Sequence, residues 1–201
     1  MRVQSSIWAI CAALVAPLPA MGDDDQAPPM VLAPNGSYEL DQDSPDNSIS
    51  VWQLTTLANV NAIRAKLTVH RIGERGANPT FGIELSNDAD AVQFQAFTKP
   101  GKTSLIPLIS EAADHTENVS GLAGGLFLSH FDVGETVDVD VDWTDAGVVT
   151  VTLRDKSAIN GFERHTVTMR GGPPTKLKVV AMTGEGEWKP LQIGRTGAQP
   201  Q

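Results

Sequence analysis

Acidic residues at every second position are the first features that could do chemistry. Glu39-Leu40-Asp41-Gln42-Asp43 sets three carboxylates on one side of an extended chain. Two carboxylates converging on one glycosidic bond are what a glycosidase needs, one as nucleophile and one as acid. The same stretch continues as Asp43-Ser44-Pro45-Asp46-Asn47, which reads as a turn. Asp41, Asp43 and Asp46 are oxygen donors of the kind calcium takes, so a structural calcium is a candidate and no other cofactor is. No EF-hand spacing is present, and a solvated acidic turn is the competing reading. A second acidic run, Asp138, Asp140 and Asp142, has its carboxylates about 7 Å apart along one strand face, wide for joint chelation. Solvated sheet surface is the expectation there. The four histidines, His70, His115, His130 and His165, stand at no metal-ligand spacing. A Gly-x-Ser-x-Gly elbow and a phosphate loop are both absent from the sequence.

Polar residues that could meet a sugar form another candidate set. Gln93, Gln95 and Phe97 share one strand face, and Lys66, Thr68 and His70 share another. Sugar sites combine planar amides and other polar groups with a ring that covers the C–H face of the pyranose. His70, Gln93, Gln95 and Phe97 supply these if their strands are neighbours; an ordinary wet sheet face is the alternative. Trp52 and Trp188 are further aromatic candidates, although tryptophan in such strands is usually core.

These residues sit on elements whose period is two. Ala65, Leu67 and Val69 alternate with polar residues, as do Phe81, Ile83 and Leu85, then Val92, Phe94 and Ala96. Val137 to Trp143, Val149 to Leu153 and His165 to Met169 repeat the pattern. Asn78-Pro79, Lys99-Pro100-Gly101, Gly124-Gly125 and Gly171 to Pro174 punctuate it. About ten to twelve short strands so spaced predict an all-β, two-sheet antiparallel β-sandwich. One hairpin can be written in register: Trp143 opposite Val149, with Asp142, Asp140 and Asp138 facing Thr150, Thr152 and Arg154, and Gly147 in a left-handed turn position. Residues 114–122 are read as a helical turn or a long loop.

Phe131-Asp132-Val133-Gly134-Glu135-Thr136-Val137 leads into Val139-Asp140-Val141-Asp142-Trp143, then a turn and the strand Val148 to Leu153. Pro174 to Val180 and Gly184-Glu185-Gly186-Glu187-Trp188 follow. This pattern, over residues 124–194, resembles the concanavalin A-like lectin/glucanase superfamily. The resemblance implies a jelly roll of two curved sheets, and many such proteins hold a structural calcium. It also implies glycan-binding modules, glycosidases, lyases or protein-binding modules as functions, among which fold does not choose. Retaining glucanases of this fold carry Glu-x-Asp-x-Glu. The segment from Glu39 ends instead in Asp, has Gln in fourth place and opens the domain, so a catalytic role is not expected of it.

The chain has 201 residues, a formal net charge of −9 and a sequence pI near 4.8. That balance argues against nucleic acid and against an anionic membrane surface as partners. Arg2, the apolar run from Ile7 to Leu18 and Ala20-Met21-Gly22 read as a signal peptide over residues 1–22, leaving no membrane span after cleavage. Cys11 lies inside it, so the mature chain would hold no cysteine, as suits a bacterial periplasm or exterior. Residues 23–35 are read as a linker, 36–195 as the sandwich and 196–201 as a disordered tail. The expectation is an exported, non-catalytic binding module for a polysaccharide or glycoconjugate. A structural or protein-binding envelope sandwich is the alternative, and a glycan hydrolase or lyase the third.

Overall fold

The structure, a computed structural model, describes residues 30–111, 124–154 and 161–196. The signal segment with Cys11, His115, the possible turn at 114–122, residues 23–29 of the expected linker and residues 197–201 of the tail lie outside the described residues. Every element among the described residues is a strand: β1 (Met30–Leu54), β2 (Ala62–Ile72), β3 (Thr80–Ser86), β4 (Ala91–Phe97), β5 (Ser104–Glu111), β6 (Gly124–Leu126), β7 (Phe131–Asp132), β8 (Thr136–Trp143), β9 (Val148–Arg154), β10 (Phe162–Thr168) and β11 (Lys176–Thr196). All pairings are antiparallel.

The ribbon of β1 and β11 organises the fold. Residues 176–182 of β11 pair with β3, and residues 184–194 pair with β2, while β1 follows β11 along its whole length. One half-sheet therefore runs β10-β9-β8-β2 to the distal part of the ribbon, and the other runs from its proximal part through β3-β4-β5-β6. The ribbon turns where β1 shifts register between Ser44 and Ile49, with Asn47 and Thr183 at positive φ. The expected turn at Asp43 to Asn47 is thus a bulge inside a strand. The expected linker also ends earlier than 35: Met30, Val31 and Leu32 already pair with Thr196, Arg195 and Gly194. Close approach is what the proline-containing reading missed, since a Cβ on Gly194 would sit 2.2 Å from the Val31 carbonyl oxygen.

The two half-sheets pack face to face as a β-sandwich. Inward positions of both halves fill one core, including Leu67, Leu153 and Trp188 from one side and Phe81, Phe94, Ile109 and Leu177 from the other. These are the residues that alternate in sequence, because burying one face of a pleated strand selects every second side chain. The far edges are tied together. The Phe127 ring meets Phe94 edge-on at 6.0 Å and His165 at 4.5 Å. The Glu163 carboxylate accepts from the backbone N–H groups of Leu128 (2.6 Å) and Ser129 (2.7 Å) and from the Ser129 hydroxyl. The β8–β9 hairpin has the register read from sequence, with Gly147 at φ 79°.

Candidate functional site

Strand registers lay the outward face of the β3-side half-sheet out in rows. Ile49, Met182, Thr80, Phe97 and Ile106 form one row across five strands. Val51, Val180, Gly82, Gln95 and Leu108 form the next, and Gln53, Lys178, Glu84, Gln93 and Ser110 the third. The first row is mainly apolar and the third polar. Gly82 stands between them in the middle row, where its missing side chain leaves a gap. A Cβ there would lie 2.5 Å from the Phe94 carbonyl oxygen, so the position cannot be filled without moving backbone.

The gap is the floor of an open groove of about 290 Å³. Ile49, Val51, Val180 and Met182 make its aliphatic wall, and Glu84, Gln93, Gln95 and Lys178 its polar wall. The polar side chains form one hydrogen-bonded chain. Lys178 Nζ donates to Glu84 Oε1 (2.8 Å), Gln93 Nε2 donates to Glu84 Oε2 (2.8 Å), and Gln95 Nε2 donates to Gln93 Oε1. Glu84 is held on both oxygens with its side chain only 13 % exposed. Amides oriented this way are pre-positioned for a ligand and lose little freedom on binding. Among the described residues Glu84 is the one carboxylate lining the groove.

The other half-sheet presents a different outward face. Arg64, at the centre, reaches Asp142 (2.9 Å) and Asp140 (3.5 Å), and Arg154 donates to Asp140 (3.0 Å). Lys66 pairs with Asp138 at 2.6 Å. Asp140 is only 7 % exposed, which corrects the expectation of a solvated acidic face. Asp138 and Asp142 stay partly open, but all three carboxylates are spent on cations from β2 and β9. Burial pushes the Asp140 carboxyl above its usual value, and the charges of Arg64 and Arg154 oppose that rise. Lys189 is held above its ordinary range by hydrogen bonds to Asp41 and Glu187.

The predicted site residues divide between these faces. Gln93 and Gln95 are in the groove. Phe97 is on the same face, in the apolar row beside it and half-buried. His70 is on the opposite face, 3.5 Å from Glu187. The set does not assemble, because β2 and β4 belong to different halves of the sandwich. Asp41 and Asp43 are also on the ion-paired side, bonded to Lys189 (2.8 Å) and Arg71 (2.9 Å), and Asp46 lies in the bulge beside Gly73. Among the described residues no group of three or more His, Cys, Asp or Glu side chains could hold a metal ion. Gln42, between the carboxylates, points inward and donates to the Val179 carbonyl. Trp188 is core, and Trp52 is half-buried against Tyr38 at 4.8 Å. Gly82, Glu84, Lys178 and the aliphatic wall were not picked out in sequence. A glycine inside the alternating run Phe81, Ile83, Leu85 was the available signal, since glycine in a strand interior marks a close approach or a site.

No protein-family model matches the chain, and no curated protein matches it. Solved structures resemble it distantly. A Scytalido-glutamic peptidase with a peptide-based transition-state analogue is 12 % identical, with a TM-score of 0.49 over 66 % of this chain and 63 % of that one. The present chain thus spans less than two-thirds of that peptidase. A Caenorhabditis elegans galectin is 12 % identical, with a TM-score of 0.47 over 82 % of this chain and 99 % of that one. A legume lectin-like domain from Entamoeba histolytica is 10 % identical, with a TM-score of 0.48 over 85 % and 88 %. These likenesses concern the course of the strands and not the chemistry of either face.

Proposed function

We propose that the protein is an exported, non-catalytic binding module that holds a glycan in the groove floored by Gly82. The observation that carries this reading is the opposition of two walls across an empty floor: aliphatic Val51, Val180 and Met182 facing the fixed amides of Gln93 and Gln95. A pyranose has the matching anatomy, with C–H groups on its faces and hydroxyls around its rim. The groove is at the small end of the roughly 300–1,000 Å³ typical of ligand sites, which suits one or two units of a longer chain rather than a large compact ligand. Export is supported by the signal-like residues 1–22 and would bring the module to extracellular or periplasmic polysaccharide. A lone Glu84 paired with Lys178 favours binding over glycoside hydrolysis, which in most glycosidases uses two carboxylates.

The test is a thermal-shift screen of the purified protein against a polysaccharide panel, followed by calorimetry on any hit. A ligand that binds only the folded state raises the melting temperature with concentration. Gln95→Ala should weaken a hit by about tenfold, the loss of one or two hydrogen bonds, while Lys66→Ala on the opposite face should leave it unchanged. No shift with any glycan, or equal loss in both variants, would refute the reading.

A further inference from the structure

The walls of the Gly82 groove differ from those of a site that stacks a sugar on a ring. Among the described residues lining the groove Phe94 is the aromatic one, and its side chain is turned into the core, 2 % exposed. Apolar contact comes instead from the methyl-bearing side chains of Val51, Val180 and Met182.

The polar wall has a direction. The Glu84 carboxylate, paired with Lys178 Nζ at 2.8 Å, only accepts hydrogen bonds. Gln93 therefore turns its Nε2 toward Glu84, which leaves its Oε1 to accept from Gln95 Nε2. Gln95 Oε1 is the end of this chain, an acceptor with no partner among the described residues. It asks for a donor. Gly82 sets the scale of what can supply one. It stands between Val180 and Gln95 in a single row, so the backbones of the two walls are about 10 Å apart, two strand spacings. With both side chains in that span, the floor has room for a substituent of a sugar rather than for its ring. A glycine inside a strand is suited to such a close approach.

We propose that the groove selects glycans bearing acetamido groups, with the N-acetyl methyl against Val180 and Met182 and the amide N–H donating to Gln95 Oε1. Each of the other common substituents lacks one half of this match. A hydroxyl donates but brings no methyl. An ammonium donates but sets its charge against an aliphatic wall, at a desolvation cost. A carboxylate brings no donor. Lys178 Nζ has three donors and spends one on Glu84, which leaves it able to meet the acetamido carbonyl. The inference rests on the glycan reading of this groove and narrows it to N-acetylated amino sugars.

Calorimetry of the purified protein tests it with cello-, chitosan- and chito-oligosaccharides of one length. These share a backbone and carry hydroxyl, ammonium or acetamido at C2. The acetamido form should bind about tenfold tighter than either other form, the worth of one buried methyl and one hydrogen bond. Val180→Thr, which exchanges a methyl for a hydroxyl in nearly the same shape, should reduce that advantage about fivefold. Lys66→Ala on the opposite face should leave it intact, and melting of each variant confirms that it is folded. Equal or tighter binding of the hydroxyl form overturns the inference and leaves the glycan reading standing. So does a melting shift with another glycan when none of the three forms binds. No binding by any glycan overturns both. A folded Val180→Thr that keeps the full acetamido preference also overturns the inference.

Discussion

The two outward faces of the sandwich share one pleat, one core and one ribbon, yet they hold their polar side chains in different ways. On the β2-side face, cations and carboxylates alternate across strands until each carboxylate of β8 is matched. On the β3-side face, the Lys178–Glu84 ion pair anchors two amides beside an aliphatic strip, and a glycine leaves space between them. The first face matches its carboxylates to cations around an opening of about 400 Å³ lined by Arg64, Lys66, Asp138, Asp140 and Arg154, and the second sets amides and an aliphatic strip around one of about 290 Å³. We read the second as the binding face, in line with the proposed function, and the first as a contribution to the fold.

Substitutions that disturb each face should separate these roles. Arg64→Met has the largest expected cost, about 3 kcal/mol, because Asp140 then stays buried with one of its two cations gone; urea unfolding measures it. Gly82→Ala should cost about 2 kcal/mol through the clash with the Phe94 carbonyl and should also abolish ligand binding by raising the groove floor. The pH response sharpens the contrast further. Burial raises the folded-state pKa of Asp140 above 3.8, so the fold takes up that proton more readily than the unfolded chain does. Its stabilising contribution is therefore complete below 3.8 and is lost as pH rises through the raised value. Relative to the wild type, Asp140→Asn should gain stability over that window and then run parallel; a constant offset across it would remove the effect of burial. Gln95→Ala should change stability least, by less than about 1 kcal/mol, while carrying the binding defect.

Sequence was a good guide wherever the physics is local. Alternation named the inward residues of β2, β3, β4, β8 and β9, and the left-handed need at Gly147 set the β8–β9 register before any coordinates. Gln93 and Gln95 were legible as outward neighbours for the same reason. What failed needed distant strands. Arg64 neutralises Asp140 and Asp142 across the β2–β8 pairing, which joins residues some seventy positions apart. His70 was grouped with Gln93 because nothing local says that β2 and β4 fall in opposite halves. Val180, Met182, Ile49 and Val51 become a wall only once β1, β11 and β3 are aligned. The strand at Met30 to Leu32 read as linker because its tight contact with Gly194 is likewise remote in sequence.

Hydrogen–deuterium exchange of the protein with and without a bound glycan, resolved by peptide, bears most directly on the division between the faces. Protection confined to β3, β4 and the proximal ends of β1 and β11, with β8, β9 and β2 unchanged, is the predicted result. Protection centred on Arg64, Asp140 and Arg154, with the Gly82 groove unaffected, would contradict it and move the binding site to the ion-paired face.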